Sequence, residues 1–154
     1  MKQDELKKLD NEIGQYAADQ TKIIWVDDQT MQIATMMIDS YGDTVYVWVK
    51  EDEDHCRVSD GGRILFKLNP NQEDMELYET AADIALGSGY QFDEEHCEIY
   101  VDVDRKNVAQ AVMKLAQLQV AISYLGLKKC IPRFFLLIRD AFFIFKFLRG
   151  NFRH

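Results

Sequence analysis

Residues 4–18 place Leu6, Leu9, Ile13, Tyr16 and Ala17 at three- and four-residue spacing with charges between them, which predicts a short amphipathic helix. "KIIWV", from Lys22, is β-branched and aromatic and predicts a strand. The apolar "MQIATMMI" predicts a second extended segment, and "DSYGD" a turn built from Asp39, Ser40, Gly42 and Asp43. "TVYVWVK" alternates Val45, Val47 and Val49 with Tyr46 and Trp48. It is apolar on both faces, so a central strand is expected. After the charged tip "EDED", "HCRVSD" returns as the second arm of a hairpin.

Further on, Asn69 is expected to cap a helix with Pro70 at its first position. Leu77, Tyr78, Ala81, Ile84 and Ala85 form its apolar stripe, and Gly87 and Gly89 stop it. "HCEIYVDVD" predicts a strand with Ile99, Val101 and Val103 on one face and Tyr100, Asp102 and Asp104 on the other. Asp104 then stands where a helix cap is wanted, before the strongest helical pattern in the chain: Val108, Ala111, Val112, Leu115, Leu118, Ile122 and Leu125. Strands and helices are partly segregated, and no βαβ phosphate loop occurs. The expected fold is therefore α+β, a curved antiparallel sheet packed against two or three helices.

Composition changes this picture at one end. The chain of 154 residues carries a net charge of −8, yet residues 128–154 hold seven Lys or Arg and one Asp, leaving −14 on residues 1–127. Seven of the nine phenylalanines also fall between Phe134 and Phe152. The expectation is one α+β domain over 1–127 and an aromatic, basic segment over 128–154. After Pro132 a helix is predicted with Phe134, Ile138, Ala141, Phe142, Phe145 and Leu148 on one face and Arg139, Lys146, Arg149 and Arg153 as a basic stripe. Docking on the acidic body is the first expectation for this segment. Contact with a protein partner or a second copy comes next, since aromatics with Arg anchor interfaces. An anionic membrane surface ranks third. Charged residues interrupt the apolar run, which argues against a membrane span.

The acidic balance argues against direct nucleic-acid binding, which needs a basic face. Three cysteines, an odd number without CxxC spacing, argue against a disulfide framework, and the charged N-terminus is unlike a secretory signal. A cytoplasmic location is the corresponding expectation.

The order "SYGDTVYVWV", "RVSDGGRILFKL", a helix closing at "GSGYQF" and "EIYVDVD" before a long amphipathic helix resembles the bacterial and prophage family of domain of unknown function 1828, over roughly residues 20–125. The residues that carry the resemblance are Gly42-Asp43 before a strand and Ser59-Asp60-Gly61-Gly62 after it. The resemblance implies a small cytosolic protein often carried by mobile elements. It implies no catalytic residue, cofactor or substrate. The Phe-rich ending is unlike the family's polar one.

Candidate chemistry is sparse. Asp60 can bond amides one or two residues on while Gly61 or Gly62 takes a positive φ, and turn chemistry alone accounts for that motif. The alternative is a carboxylate beside exposed amides that grips a polar ligand or metal, and the same choice holds at Asp43. His55-Cys56 and His96-Cys97 are a legitimate zinc set by type, but neighbouring strand residues point to opposite faces, so no metal site is expected. Cys56 and Cys97 are expected in the core, with the histidines at exposed hairpin ends. No catalytic or nucleotide-binding motif occurs, and no cofactor is expected.

The function expected is that of a small binding module acting through protein contact, with an inhibitor of a host defence complex encoded by a phage as one version. Asp43, Asp60, Gly62, Arg139, Phe142, Phe145 and Arg149 are its candidate binding residues. The alternative is a metal-dependent hydrolase or nuclease using Asp43, Asp60 and Asp102.

Overall fold

The computed structural model describes residues 2–129. Its strands are β1 (Lys22–Trp25), β2 (Thr30–Ile38), β3 (Thr44–Glu51), β4 (Cys56–Ser59), β5 (Gln91–Asp93) and β6 (Glu98–Val103). They form one antiparallel sheet in the order β1-β2-β3-β4-β6-β5. The helices are α1 (Gln3–Asp19), α2 (Arg63–Leu68), α3 (Met75–Gly87) and α4 (Val108–Ser123). The fold is α+β, as the segregated pattern predicts.

Alternation along the central strands decides which face is covered. Val45, Val47 and Val49 of β3, Cys56 and Val58 of β4 and Ile99 of β6 meet Val112, Leu115, Ala116 and Ile122 of α4 in one core. The α4 helix is also pinned by polar contacts at both ends. Tyr90 donates its hydroxyl to the Ala111 carbonyl at 2.9 Å, and Gln119 donates to the Tyr46 carbonyl at 2.9 Å. Ser40 donates its N–H to the Ser123 hydroxyl at 2.9 Å and its hydroxyl to the Ser123 carbonyl at 2.7 Å, tying the β2–β3 turn to the end of the helix.

Several local expectations change. The run "RILFKL" forms α2, because two left-handed glycines turn the chain out of β4 and Ile64, Leu65 and Leu68 bury themselves under the core. Asn69 does not cap α3. Its side chain instead clasps the backbone of Asp74, accepting from the N–H at 3.2 Å and donating to the carbonyl at 3.0 Å. Asp74 is the cap and accepts from the Leu77 N–H at 3.0 Å. Pro70 sits in the loop between α2 and α3. Asp104 starts a single 3₁₀ turn, Arg105–Asn107, through its carbonyl rather than its carboxylate. Cys56 is buried as expected, whereas Cys97 is only half-buried, at a positive φ of 53° in the β5–β6 turn. The predicted α1 forms, but none of its side chains is buried. The predicted C-terminal helix lies outside the described residues.

Candidate functional site

The Ser59-Asp60-Gly61-Gly62 turn is a locked backbone corner. Asp60 is fully buried, and its carboxylate accepts from the N–H groups of Ile99 at 2.8 Å, Gly62 at 3.0 Å and Ile64 at 3.3 Å. One side chain thereby ties β4, α2 and β6 together. Burial pushes the Asp60 carboxyl up to about 6, against the opposing pull of those three amides. Gly61 and Gly62 take φ of +62° and +71°. A Cβ on Gly62 would stand 2.8 Å from the His96 carbonyl oxygen, and one on Gly61 would stand 3.2 Å from the Trp48 ring. Glycine is thus needed at both positions for conformation and for space. Ser59 adds its hydroxyl, which accepts from the Gly61 N–H at 2.8 Å and donates to the Glu98 carboxylate.

In the β2–β3 turn the organising acid is Asp39, not Asp43. Asp39 is buried and accepts from the N–H groups of Tyr41 at 2.9 Å and Asp43 at 3.1 Å, and from Lys67 at 2.6 Å. Burial works to raise its carboxyl, but the Lys67 ammonium and the two amides outweigh it and hold the group below its ordinary value. Asp43 is exposed and also pairs with Lys67, at 2.7 Å. Gly42 supplies the positive φ of the turn, 85°. Nothing in the spacing of "DSYGD" marks Asp39 over Asp43, and Lys67 becomes its partner only once α2 exists.

Asp102 lies on the opposite face of the sheet. Arg57 grips it bidentately, at 2.9 and 3.0 Å, which holds the carboxyl below its ordinary value. Asp43, Asp60 and Asp102 are therefore each engaged by different partners and form no common site. His96 pairs with Asp93 in the β5–β6 turn, while His55 stands 3.8 Å from both Asp52 and Asp102. Among the described residues no three His, Cys, Asp or Glu are grouped to hold a metal ion.

The sheet face turned away from α4 carries the remaining distinctive side chains. Tyr46 and Trp48 of β3 are half-buried there, 6.4 Å apart. The exposed Arg63 guanidinium lies over both, 5.2 Å from the Tyr46 ring and 5.8 Å from the Trp48 ring. Arg57 lies over Tyr100 of β6 at 4.2 Å. A shallow groove of about 430 Å³ runs between Thr30, Trp48, Lys50, Arg57, Arg63 and Glu98. A second, of about 320 Å³, continues past Gly61 and Arg63 to the exposed Phe66 and His96 and the half-buried Tyr78. The Ser-Asp-Gly-Gly corner is thus the ridge between two grooves, and it sets where Arg63 projects. The alternation Tyr46–Trp48 was visible in the sequence. Arg63 and Arg57 carried no signal there, because their placement depends on the corner and on the β4–β6 register.

Arg139, Phe142, Phe145 and Arg149 lie outside the described residues. Among the described helices none is long and apolar enough to cross a membrane. No curated protein and no solved structure matches the chain. A family model does match, described as domain of unknown function DUF1828, over residues 35–122. That span begins within β2 and ends within α4. It takes in both turns and the three strands that build the open face, and on this match over more than half its length the chain belongs to the domain of unknown function DUF1828 family.

Proposed function

We propose that the protein is a binding module that acts by stoichiometric protein contact, and that its recognition surface is the open face of the sheet. The observation that carries this is the cluster of Tyr46, Trp48, Arg63, Arg57 and Tyr100 on a face that, among the described residues, no helix covers. Trp, Tyr and Arg are the residues on which interface energy concentrates, since each buries a large rigid area and keeps a polar handle. Here they are pre-ordered by ring–guanidinium contacts, so little freedom is lost when a partner settles on them. Arg63 and Lys50 add positive charge within a strongly acidic body. That favours a partner segment with exposed carboxylates, steered to this face and repelled elsewhere.

The test is affinity capture from the source cell with the full chain and two variants. In the first, Lys50→Glu and Arg63→Glu reverse the charge of the open face. In the second, Lys114→Glu alters the exposed side of α4. A protein retained by the wild type and by Lys114→Glu but lost from the double variant, at unchanged melting temperature, supports the open face. Retention by the double variant moves recognition elsewhere.

A further inference from the structure

The β1 edge of the sheet carries an unbroken apolar run. Ile23, Ile24 and Trp25 of β1 and Val26 after it lie between 48% and 63% exposed. The strand register places Trp25 beside Met31, Met31 beside Val49 and Val49 beside Val58. This row is apolar from end to end, yet Val58 is 0% exposed and Trp25 63%. The core face of the sheet therefore continues past the cover of α4 and stops at an open edge. Such an edge is a template for a further strand.

Hydrogen bonding along β1 fixes what the edge offers. Val26 donates its N–H to the Thr30 carbonyl at 2.9 Å, so Val26 and, two residues back, Ile24 turn their backbone groups inward to β2. The N–H and C=O groups of Ile23 and Trp25 point outward, where no hydrogen bond among the described residues meets them. An incoming antiparallel strand must bond to these two residues.

The strand that fits is β1 itself. Turned about a two-fold axis at Ile24, a second β1 sets Ile23 against Trp25 twice and bonds every outward N–H and C=O of both residues in both copies. Ile24 then meets Ile24 on the open face, and Ile23 lies beside Trp25 on the core face, so apolar meets apolar on both sides. The same turn carries Lys22 of each copy towards Asp27 and Asp28 of the other, whereas a parallel pairing would set Lys22 against Lys22. Charge thus favours a second, antiparallel copy. The opposite edge offers no comparable strand: β5 has only Gln91, Phe92 and Asp93 and runs into Glu94 and Glu95. With one such edge per chain, association closes at two copies.

We propose that the protein forms a two-fold dimer through its β1 edges, which joins the two sheets into one continuous sheet. The central contact is Ile24 against Ile24, flanked by the two Ile23–Trp25 pairs. This surface is additional to recognition through the open face and does not rest on it.

Sedimentation equilibrium of the full chain between about 1 and 500 µM tests this, because a contact this short belongs to the weak, reversible class. The wild type is expected to pass from monomer to dimer. Ile24→Lys puts like charges directly opposite at the axis and should weaken the dimer roughly tenfold at unchanged melting temperature. Adding an equal amount of Ile24→Glu should restore the dimer, since the two charges then pair. A monomeric wild type at the highest concentration overturns the proposal. A dimer indifferent to Ile24→Lys, or one the mixture fails to restore, assigns the association to another surface and also overturns it. Hydrogen exchange on the wild type, read by NMR, reports the register without any substitution. The Ile23 and Trp25 amides are expected to exchange freely in dilute protein and to gain severalfold protection in the dimer, while those of Ile24 and Val26 stay bonded to β2 in both. Ile23 and Trp25 amides that exchange alike in monomer and dimer overturn the pairing.

Discussion

Helices α1 and α4 share one sequence pattern and meet opposite fates. Both repeat apolar residues at three and four over about four turns. In α4, Leu115 and Ile122 are 0% exposed and held against β3, β4 and β6; in α1, Ile13 is 62% exposed. Periodicity therefore says which face of a helix wants cover, not what covers it. The α4 helix is read correctly because its partner, the valine face of β3, is itself legible. The α1 helix sits outside the span that matches the family, against nothing that packs it among the described residues.

The sharpest way to break the comparison is to cut the core at its polar anchor. Asp60→Ala leaves the buried N–H groups of Ile99, Gly62 and Ile64 without their acceptor and should cost on the order of 4 kcal/mol in denaturant melts. A cost below that of an ordinary surface change would show that the corner does not hold β4, α2 and β6 together. Leu115→Ala follows, at about 3 kcal/mol from lost transfer energy and the cavity left behind.

A pH series sharpens the role of Asp60. Its folded pKa, about 6, lies above the ordinary 3.8, so the folded state favours the protonated form. The contribution is complete below 3.8 and is lost as pH rises through 6. The stability difference between the wild type and Asp60→Asn should therefore shrink in favour of the variant between those values and stay level above them. Asp39, held below its ordinary value, has the opposite sign: its contribution is lost as the medium is acidified. A difference curve that is flat through this range would show that burial does not govern Asp60. The smallest expected effect is Ile13→Ala, which should change global stability by less than about 1 kcal/mol. A loss as large as that of Leu115→Ala would place α1 in the core.

Most of the fold was legible because it rests on short-range periodicity. The Val45–Val47–Val49 alternation, the β3–β4 hairpin, the β6 strand and the α4 stripe are all local patterns, and each forms. What was not legible depends on contacts across the fold. The short α2 exists because Gly61 and Gly62 turn left-handed beneath Trp48 and His96, which no window of sequence displays. For the same reason Asp39 looked no more important than Asp43, and Asn69 looked like a cap when it serves to position one. The open face was half legible. Tyr46 and Trp48 stand in plain alternation, but Arg63 and Arg57 join them only through the corner and the strand register.

Trp48 gives the most direct measurement of where a partner binds. The chain has two tryptophans, so Trp25→Phe leaves Trp48 as the single reporter on the open face. Iodide should quench its fluorescence in the free protein, because the ring is partly exposed beside Arg63. Addition of the captured partner to saturation should shield it and lower the quenching constant severalfold. A quenching constant that stays the same when the partner is fully bound would contradict recognition through this face.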